Sequence, residues 1–478
     1  MDFYLGLPLV FATLWSVLII VMEAATHKPE VTKWLTVFGF TTVIGISFSG
    51  SMEASYAFSE MIRTGLFSNF VITLFALSGL LVVLTSEQYA SEKKINYGEF
   101  YIIVFIAVVG MMLMGTAANM AILFIGLEMM SLSLYVLAGM LRKDQRSNEA
   151  AMKYFLLGSF ASAIFLYGIA LIYGATGELM FHKILKSIVI SSFAGDNMSL
   201  FWVGFTLLVV GFLFKVSAVP FHQWTPDVYE GTPTPSSAFM STGAKSAAFV
   251  SLISIILHVA PLLNGNERWT KSIAIVSALT MIVGNFAALV QPNLKRMLAY
   301  SSIAHAGYLL AGIVAGTNDS FSGILFYLFI YTLMNIGAFG VVGVLESLGK
   351  EPTKDGFIGL SKEHPIFAAV MAVFMLSLAG IPPLAGFVGK YLIFSSLVET
   401  GNIWLAVVGV LTSAVSAYYY LKIIVAMYMM DSLSVSSNKI FYPNVAIVLV
   451  AVVLVVLGVF PSWAIQLTDA AVKLAVYN

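Results

Sequence analysis

The chain has 478 residues, of which 59% are hydrophobic and only 10% are charged, whereas soluble domains carry about a quarter charged residues. Its 24 basic and 24 acidic side chains cancel, so binding to nucleic acid through net charge is disfavoured. It has no cysteine, which excludes iron–sulfur clusters, thiolate zinc sites and disulfides.

Apolar runs close to the ~20 residues that cross a hydrocarbon core recur along the whole chain. Taken in order they cover 3–22, 34–50, 67–85, 100–115, 117–140, 150–174, 200–220, 236–258, 271–291, 297–315, 320–345, 365–397, 403–429 and 441–461, fourteen segments in all. The first starts at Met1-Asp2-Phe3 without a basic flank and is followed by further spans, so it does not read as a cleaved leader. Segments 100–115 and 117–140 are separated mainly by Gly115 and Thr116. Segment 365–397 is too long for one straight helix and contains Pro382 and Pro383. Runs such as Val445–Val459 lack the alternation of barrel strands, and a helix satisfies its own backbone in lipid. The expectation is an all-α polytopic membrane protein with about fourteen transmembrane helices and no extramembrane catalytic module.

Loop charge sets the expected orientation, because cytoplasmic loops collect Lys and Arg. With the N-terminus outside, inner loops hold thirteen basic residues, Lys94 and Lys439 among them, and outer segments hold six. Both termini are therefore expected on the outer side of the membrane. Five lysines fall inside apolar segments instead: Lys153, Lys215, Lys245, Lys390 and Lys422.

A lysine at mid-membrane costs about 2.5–3.5 kcal/mol on insertion scales, so such residues usually face a bundle interior or water and mark ion or proton pathways. Lys153 and Lys422 lie nearer segment ends, where a long stem reaches the interface, and they are only secondary relay candidates. Lys215, Lys245 and Lys390 lie deeper. Glu128 is the one acidic residue deep in a span, which makes it the natural partner of a lysine. A structural ion pair is the plain alternative for these residues. His305 stands among hydroxyls in Tyr300-Ser-Ser-Ile-Ala-His305-Ala-Gly-Tyr308, and its ordinary pKa suits a proton carrier; a hydrogen-bonded core histidine is the alternative.

Proline removes a backbone donor and breaks a helix. Pro220 interrupts the seventh segment just after Lys215, and Pro382 with Pro383 interrupts the twelfth just before Lys390. Lys215 and Lys390 are 175 positions apart, Glu128 and His305 are 177 apart, and Lys245 and Lys422 are 177 apart. The spacing predicts two five-helix repeats, spans 4–8 and 9–13, inverted in the membrane because the shift is an odd number of helices. The corresponding divisions are an N-terminal three-helix part over 1–99, the repeats over 100–260 and 261–430, and a C-terminal helix part over 431–478. Gly337, Gly340 and Gly343 within one apolar span read as helix packing through small residues. The histidines are too scattered for a metal site.

The stretch Pro220-Phe-His-Gln-Trp-Thr-Pro-Asp-Val-Tyr-Glu-Gly-Thr-Pro-Thr-Pro235 resembles the antiporter-like membrane subunits of respiratory complex I, in the form typical of the subunit N (mitochondrial subunit 2) type. Leu294-Lys-Arg-Met-Leu-Ala-Tyr-Ser-Ser-Ile-Ala-His-Ala-Gly-Tyr308 and Ser377-Leu-Ala-Gly-Ile-Pro-Pro-Leu-Ala-Gly-Phe-Val-Gly-Lys390 fit the same resemblance, which spans essentially the full length. It implies a proton-translocating subunit of NADH:quinone oxidoreductase in a bacterial inner membrane, driven by quinone reduction elsewhere. Glu128 and Lys215 would form a pair, Lys245 and His305 would lie on a central polar axis, and Lys390 would be the exit-side group. The chain itself would bind no flavin or cluster, the complex would use NADH and quinone, and the partners would be neighbouring membrane subunits and lipid, with no nucleic acid. A cation/proton antiporter subunit of a multi-subunit sodium/proton exchanger is the alternative with the same fold.

Overall fold

The computed structural model describes residues 2–93, 95, 97–190, 196–263, 265–431 and 444–476. Lys94, Lys439 and the first residues of segment 441–461 lie outside the described residues. The chain is helical, as the self-satisfying backbone of an apolar sequence requires. In order the main helices are α1 Leu7–Thr26, α2 Pro29–Ser49, α3 Leu66–Glu92, α4 Gly98–Thr116, α5 Met120–Ala138, α6 Gln145–Thr176, a short α7 Phe181–Ile190, α8 Asp196–Lys215 and a short α9 Trp224–Gly231. They continue with α10 Thr234–Leu263, α11 Glu267–Leu289, α12 Leu294–Ala315, α13 Asn318–Ser347, α14 Pro365–Ala379, α15 Ala385–Glu399, α16 Ile403–Met429, α17 Val445–Val459 and α18 Ser462–Val476.

Twelve of these helices are long and apolar enough to cross a membrane, or thirteen if the bent pair α17–α18 counts as one span. The expected count of fourteen differs because segment 365–397 forms two 15-residue helices, α14 and α15, each too short by itself. Helix α18 was not among the expected spans. It leaves α17 at an angle of 82° after Pro461 and packs on α3 and α13. Gly115 and Thr116 do not separate α4 from α5; α4 runs through Thr116, and the connection is 117–119. There the Asn119 side chain caps α5 by accepting from Ala121 N at 2.7 Å.

The centre of the molecule is α13, which is buried almost all round, as is α12. Helix α13 touches α3, α10, α12, α14, α15, α17 and α18. Its three glycines pack as small residues do between helices: Gly337 faces the Phe374 ring, Gly340 faces Ile447, and Gly343 faces Thr234 and Tyr89.

Three long helix pairs lie side by side, α4 with α5, α6 with α8, and α11 with α12. Each closes on glycine. A methyl group at Gly110 would meet Met130 N at 2.6 Å, one at Gly168 would meet Leu208 N at 2.6 Å, and one at Gly284 would meet Ala304 N at 2.5 Å. Backbones that approach this closely leave no room for lipid or side chain between them.

On one face of the bundle a hairpin joins Ser55–Ala57 to Ile62–Thr64, with Tyr56 opposite Arg63. The buried Arg63 guanidinium donates through Nη2 to the Ala475 carbonyl, which ties the hairpin to the end of α18. The opposite face carries the basic loops.

Candidate functional site

Lys215 is the last residue of α8, and its side chain is 5% exposed. Its ammonium donates to Ser131 Oγ at 2.8 Å and to Tyr135 OH at 3.5 Å, and it lies 5.7 Å from the centre of the Tyr135 ring. Ser131 follows Glu128 by one turn of α5, so the lysine faces the same stripe of α5 as the carboxylate. Among the described residues no ion pair within 4.0 Å joins Glu128 and Lys215; the two interact through space, and a hydroxyl occupies the lysine's direct contact. Glu128 Oε1 is buried without a hydrogen-bond partner among the described residues.

After Lys215 the chain unwinds across Pro220 before α9 begins. The freed groups are met locally, as they must be where water is excluded. Val219 N donates to Thr280 Oγ1 at 3.0 Å, Thr225 Oγ1 donates to Ser217 Oγ at 2.6 Å, and Trp224 Nε1 donates to the Phe214 carbonyl at 3.3 Å. The second break, at Pro382 and Pro383, is served by Gly386 N donating to Ser377 Oγ at 3.1 Å. The peptide bonds Val219–Pro220 and Pro382–Pro383 are both cis.

Lys390, on α15, reaches back across its break. Its ammonium donates to the Leu378 carbonyl at 3.0 Å, the Ala379 carbonyl at 2.9 Å and Ser413 Oγ at 2.8 Å. Leu378 and Ala379 end α14, so the cation sits on the carbonyl end of a half-helix, where the macrodipole is negative. Although proline follows Lys215 and precedes Lys390, both lysines thus stand at the C-terminal end of the first half of a broken span. Unwound or terminal carbonyls at membrane depth are the places where transporter folds hold cations.

Lys245 is 2% exposed and His305 1%. The Lys245 ammonium donates to the Ser302 carbonyl at 2.9 Å and makes a close bond to Ser302 Oγ. Ser302 lies one turn from His305 on α12. The imidazole is held from both sides: Nδ1 is 2.6 Å from Tyr327 OH and Nε2 is 3.1 Å from Tyr420 OH, and Tyr420 also bonds Ser301. Tyr308, one turn further along α12, packs edge-on to His305 with ring centres 5.5 Å apart. Its other side faces Lys390, whose ammonium is 5.0 Å from the ring centre. Tyr308 OH accepts from Asn285 Nδ2 at 3.0 Å, and Asn285 Oδ1 accepts from Tyr419 OH at 3.0 Å.

The fold therefore joins Lys245, Ser302, His305, Tyr308 and Lys390 in one continuous row of contacts through the buried centre. Lys215 and Glu128 form a second station. Between the two lies a wall of rings. Tyr135 meets Tyr154 at 4.8 Å, Tyr154 stacks on Trp224 at 4.6 Å, and Trp224 meets Tyr229 at 6.2 Å. Tyr229 OH, at the end of that wall, and Ser246 Oγ, next to Lys245 in the chain, are buried without a partner among the described residues, the kind of group that ordered water serves.

Lys153 and Lys422 stand apart from this row. Lys153 is 41% exposed and pairs with Glu149 at 2.6 Å and Asp227 at 2.9 Å. Asp227 is shared with Arg296 at 2.7 Å, which also meets Glu230 at 3.1 Å. This network pins α9 to α6 and α12 at the basic-loop face. Lys422 is half-buried beside Gln291, Pro292 and Lys354, towards the same face.

Sequence reasoning missed the tyrosines. Tyr327, Tyr331 and Asn335 recur every fourth residue in an otherwise apolar span, and that polar stripe was the available signal. Tyr308 lies in the same motif as His305, and the sequence alone gives it no role. Among the described residues no group of three or more His, Cys, Asp or Glu side chains gathers at metal-binding distance.

The sequence pattern of the family described as NADH:quinone oxidoreductase/Mrp antiporter, TM, matches residues 117–416. A protein of Chloroherpeton thalassium named NADH-quinone oxidoreductase subunit N 1 is 50% identical, over 99% of this chain and 99% of its own length. NADH-quinone oxidoreductase subunit N of Salinibacter ruber is 45% identical, over 94% of this chain and 91% of its own. Among solved structures, a chain of respiratory complex I from Thermus thermophilus with bound aureothin superposes with a TM-score of 0.79 at 34% identity, covering 96% of this chain and 98% of that one.

Proposed function

The chain belongs to the NADH:quinone oxidoreductase/Mrp antiporter membrane family, among its subunit N members, and from that membership we propose how it moves protons. It acts as a proton-translocating subunit of a bacterial NADH:quinone oxidoreductase, a translocase whose electrons pass through other subunits between NADH and quinone. Its partners are the other membrane subunits of that complex. The chain itself supplies ionisable groups rather than a redox centre.

Glu128, Lys215, Lys245, His305 and Lys390 are the relay. A change in the field at Glu128, imposed by a neighbouring subunit, alters the charge that Lys215 feels across the Ser131 contact. Lys215 then takes up or releases a proton at Nζ. The proton passes to Lys245 through water serving the unpartnered Tyr229 OH and Ser246 Oγ, and from there through Ser302 and His305, whose two nitrogens each face a tyrosine hydroxyl. The Lys390 ammonium, held on the α14 carbonyl end, is the next station. The observation that carries this reading is the continuous buried row Lys245–Ser302–His305–Tyr308–Lys390.

Two inverted five-helix units remain the architecture that suits this relay. The glycine crossings of α4 with α5 and of α11 with α12 fall on the first two helices of each unit, beside Glu128 and His305 respectively. The gathering of the basic loops on one face supports their placement on the cytoplasmic side, with both termini outside.

The test is Glu128→Ala and Lys245→Ala, each in the assembled complex in sealed vesicles, with protons moved per NADH oxidised as the readout. A lowered ratio in both is expected. A parental ratio in both would end the relay as drawn.

A further inference from the structure

A cavity of about 900 Å³ opens between the basic loops, and none of the residues of the central row lines it. Arg142, Lys143, Asp144 and Glu230 stand among its lining residues, together with Lys295 and Glu346. The last two are sunk into the protein: their side chains are 5% and 13% exposed. Lys295 Nζ donates to the Thr232 carbonyl at 2.7 Å and lies 4.0 Å from Glu346 Oε1, at the limit of an ion pair. The closest partner of Glu346 is instead a hydroxyl, because Thr234 Oγ1 donates to its Oε2.

Thr234 opens α10. Along that helix Thr234, Ser237, Ser241 and Lys245 follow one another at steps of three and four residues, which sets them on one face. The turn Met240–Ala244, immediately before Lys245, is π-helical, a deviation frequent at functional sites. Helix α13 brings Asn335 against the same face, where its Nδ2 donates to Ser241 Oγ at 3.3 Å and to Tyr331 OH at 2.5 Å. Four buried polar atoms beside this route, Thr232 Oγ1, Ser236 Oγ, Tyr229 OH and Asn335 Oδ1, have no hydrogen-bond partner among the described residues. Orphaned polar atoms in such number are what ordered water satisfies.

We propose that Glu346 is the intake group of the relay, taking protons from the cavity on the basic-loop face and passing them by Thr234 and the hydroxyl face of α10 to Lys245. The carboxylate gains one proton from water in the cavity and returns to its anionic form when it hands that proton to the Thr234 oxygen, which releases its own proton inward. O–H bonds form and break along the hydroxyls, and the last transfer forms an N–H bond on Lys245 Nζ, which accepts the proton as the neutral amine. The groups facing the carboxylate are Lys295 from α12, Tyr89 from α3 and Thr234 from α10, with Asp144 and Glu230 nearby at the cavity lining. This rests on the relay proposed above, and its test separates the two.

Glu346→Gln, Thr234→Val and Lys245→Ala are compared in the assembled complex in sealed vesicles, by protons moved per NADH oxidised. Glu346→Gln and Thr234→Val are expected to fall to the Lys245→Ala level, the double variant Glu346→Gln with Lys245→Ala no lower, and Glu346→Asp to recover part of the loss. Parental ratios in Glu346→Gln and Thr234→Val beside a lowered ratio in Lys245→Ala overturn the intake assignment alone, while a parental ratio in Lys245→Ala overturns the relay. Because the chain has no cysteine, Glu346→Cys adds a readout independent of pumping: a membrane-impermeant charged thiol reagent applied to the basic-loop face is expected to label it. Labelling only from the opposite face, or none in an assembled complex, overturns the assignment even if Glu346→Gln fails to assemble.

Discussion

Replacing Lys390 by methionine separates the relay from the fold. The methionine keeps the length of the stem and removes the charge. The ammonium makes three hydrogen bonds, to the Leu378 and Ala379 carbonyls and to Ser413 Oγ. Ser413 Oγ already lies 3.4 Å from the Ala379 carbonyl, so it can take over that acceptor, and one carbonyl, Leu378, is stranded at about 1–3 kcal/mol. The contact with the Tyr308 ring is worth about 2 kcal/mol when desolvated. Against these losses stands the relief of about 2.5–3.5 kcal/mol for no longer holding an ammonium at membrane depth. The net cost is about 2.5 kcal/mol at most, too little to unmake a bundle of this size. Lys390→Met is therefore expected to assemble near the parental yield while protons moved per NADH oxidised fall. Fluorescence quenching of a pH-sensitive acridine in sealed vesicles, run beside NADH oxidation, measures both. A parental ratio in an assembled Lys390→Met complex would refute the reasoning, and so would a complex that falls apart, because the energetics above would then be wrong.

Tyr308→Phe keeps the ring over Lys390 and removes the hydroxyl that accepts from Asn285; it is expected to cost about 1 kcal/mol of stability and to lower the pumping ratio, which the same vesicle assay checks. Lys153→Gln breaks two ion pairs that are largely exposed, each worth about 0.2–1 kcal/mol, so assembly yield is expected to change little and the pumping ratio to stay parental; a lost ratio would return Lys153 to the relay. Gly126→Val drives a side chain against the Gly110 carbonyl, 2.7 Å from where its Cβ must stand. Overpacking of that kind costs about 1–3 kcal/mol, and the displacement falls two residues from Glu128, so both the melting temperature and the pumping ratio are expected to drop.

By itself the sequence determined that the chain is a helical membrane bundle and where its charges lie in depth. Fourteen apolar segments leave the backbone no other way to pair its polar groups in lipid, and a lysine deep in such a segment is visible without any structure because its burial is costly. The motifs around Pro220, His305 and Lys390 carried the family as well. What the sequence did not determine was which group meets which. Most of the spans are apolar on every side, so periodicity does not fix how each helix is rotated, and the crossing points depend on glycines such as Gly110 and Gly284 that read as ordinary small residues. Only the packed bundle decided that Lys215 bonds Ser131 and meets Glu128 through space, that Lys153 belongs to a surface network, and that Tyr308, Tyr327 and Tyr420 come from three different helices to enclose His305. The cavity above Glu346 has the same origin: it is assembled from loops far apart in the chain, and their meeting is a property of the tertiary structure alone.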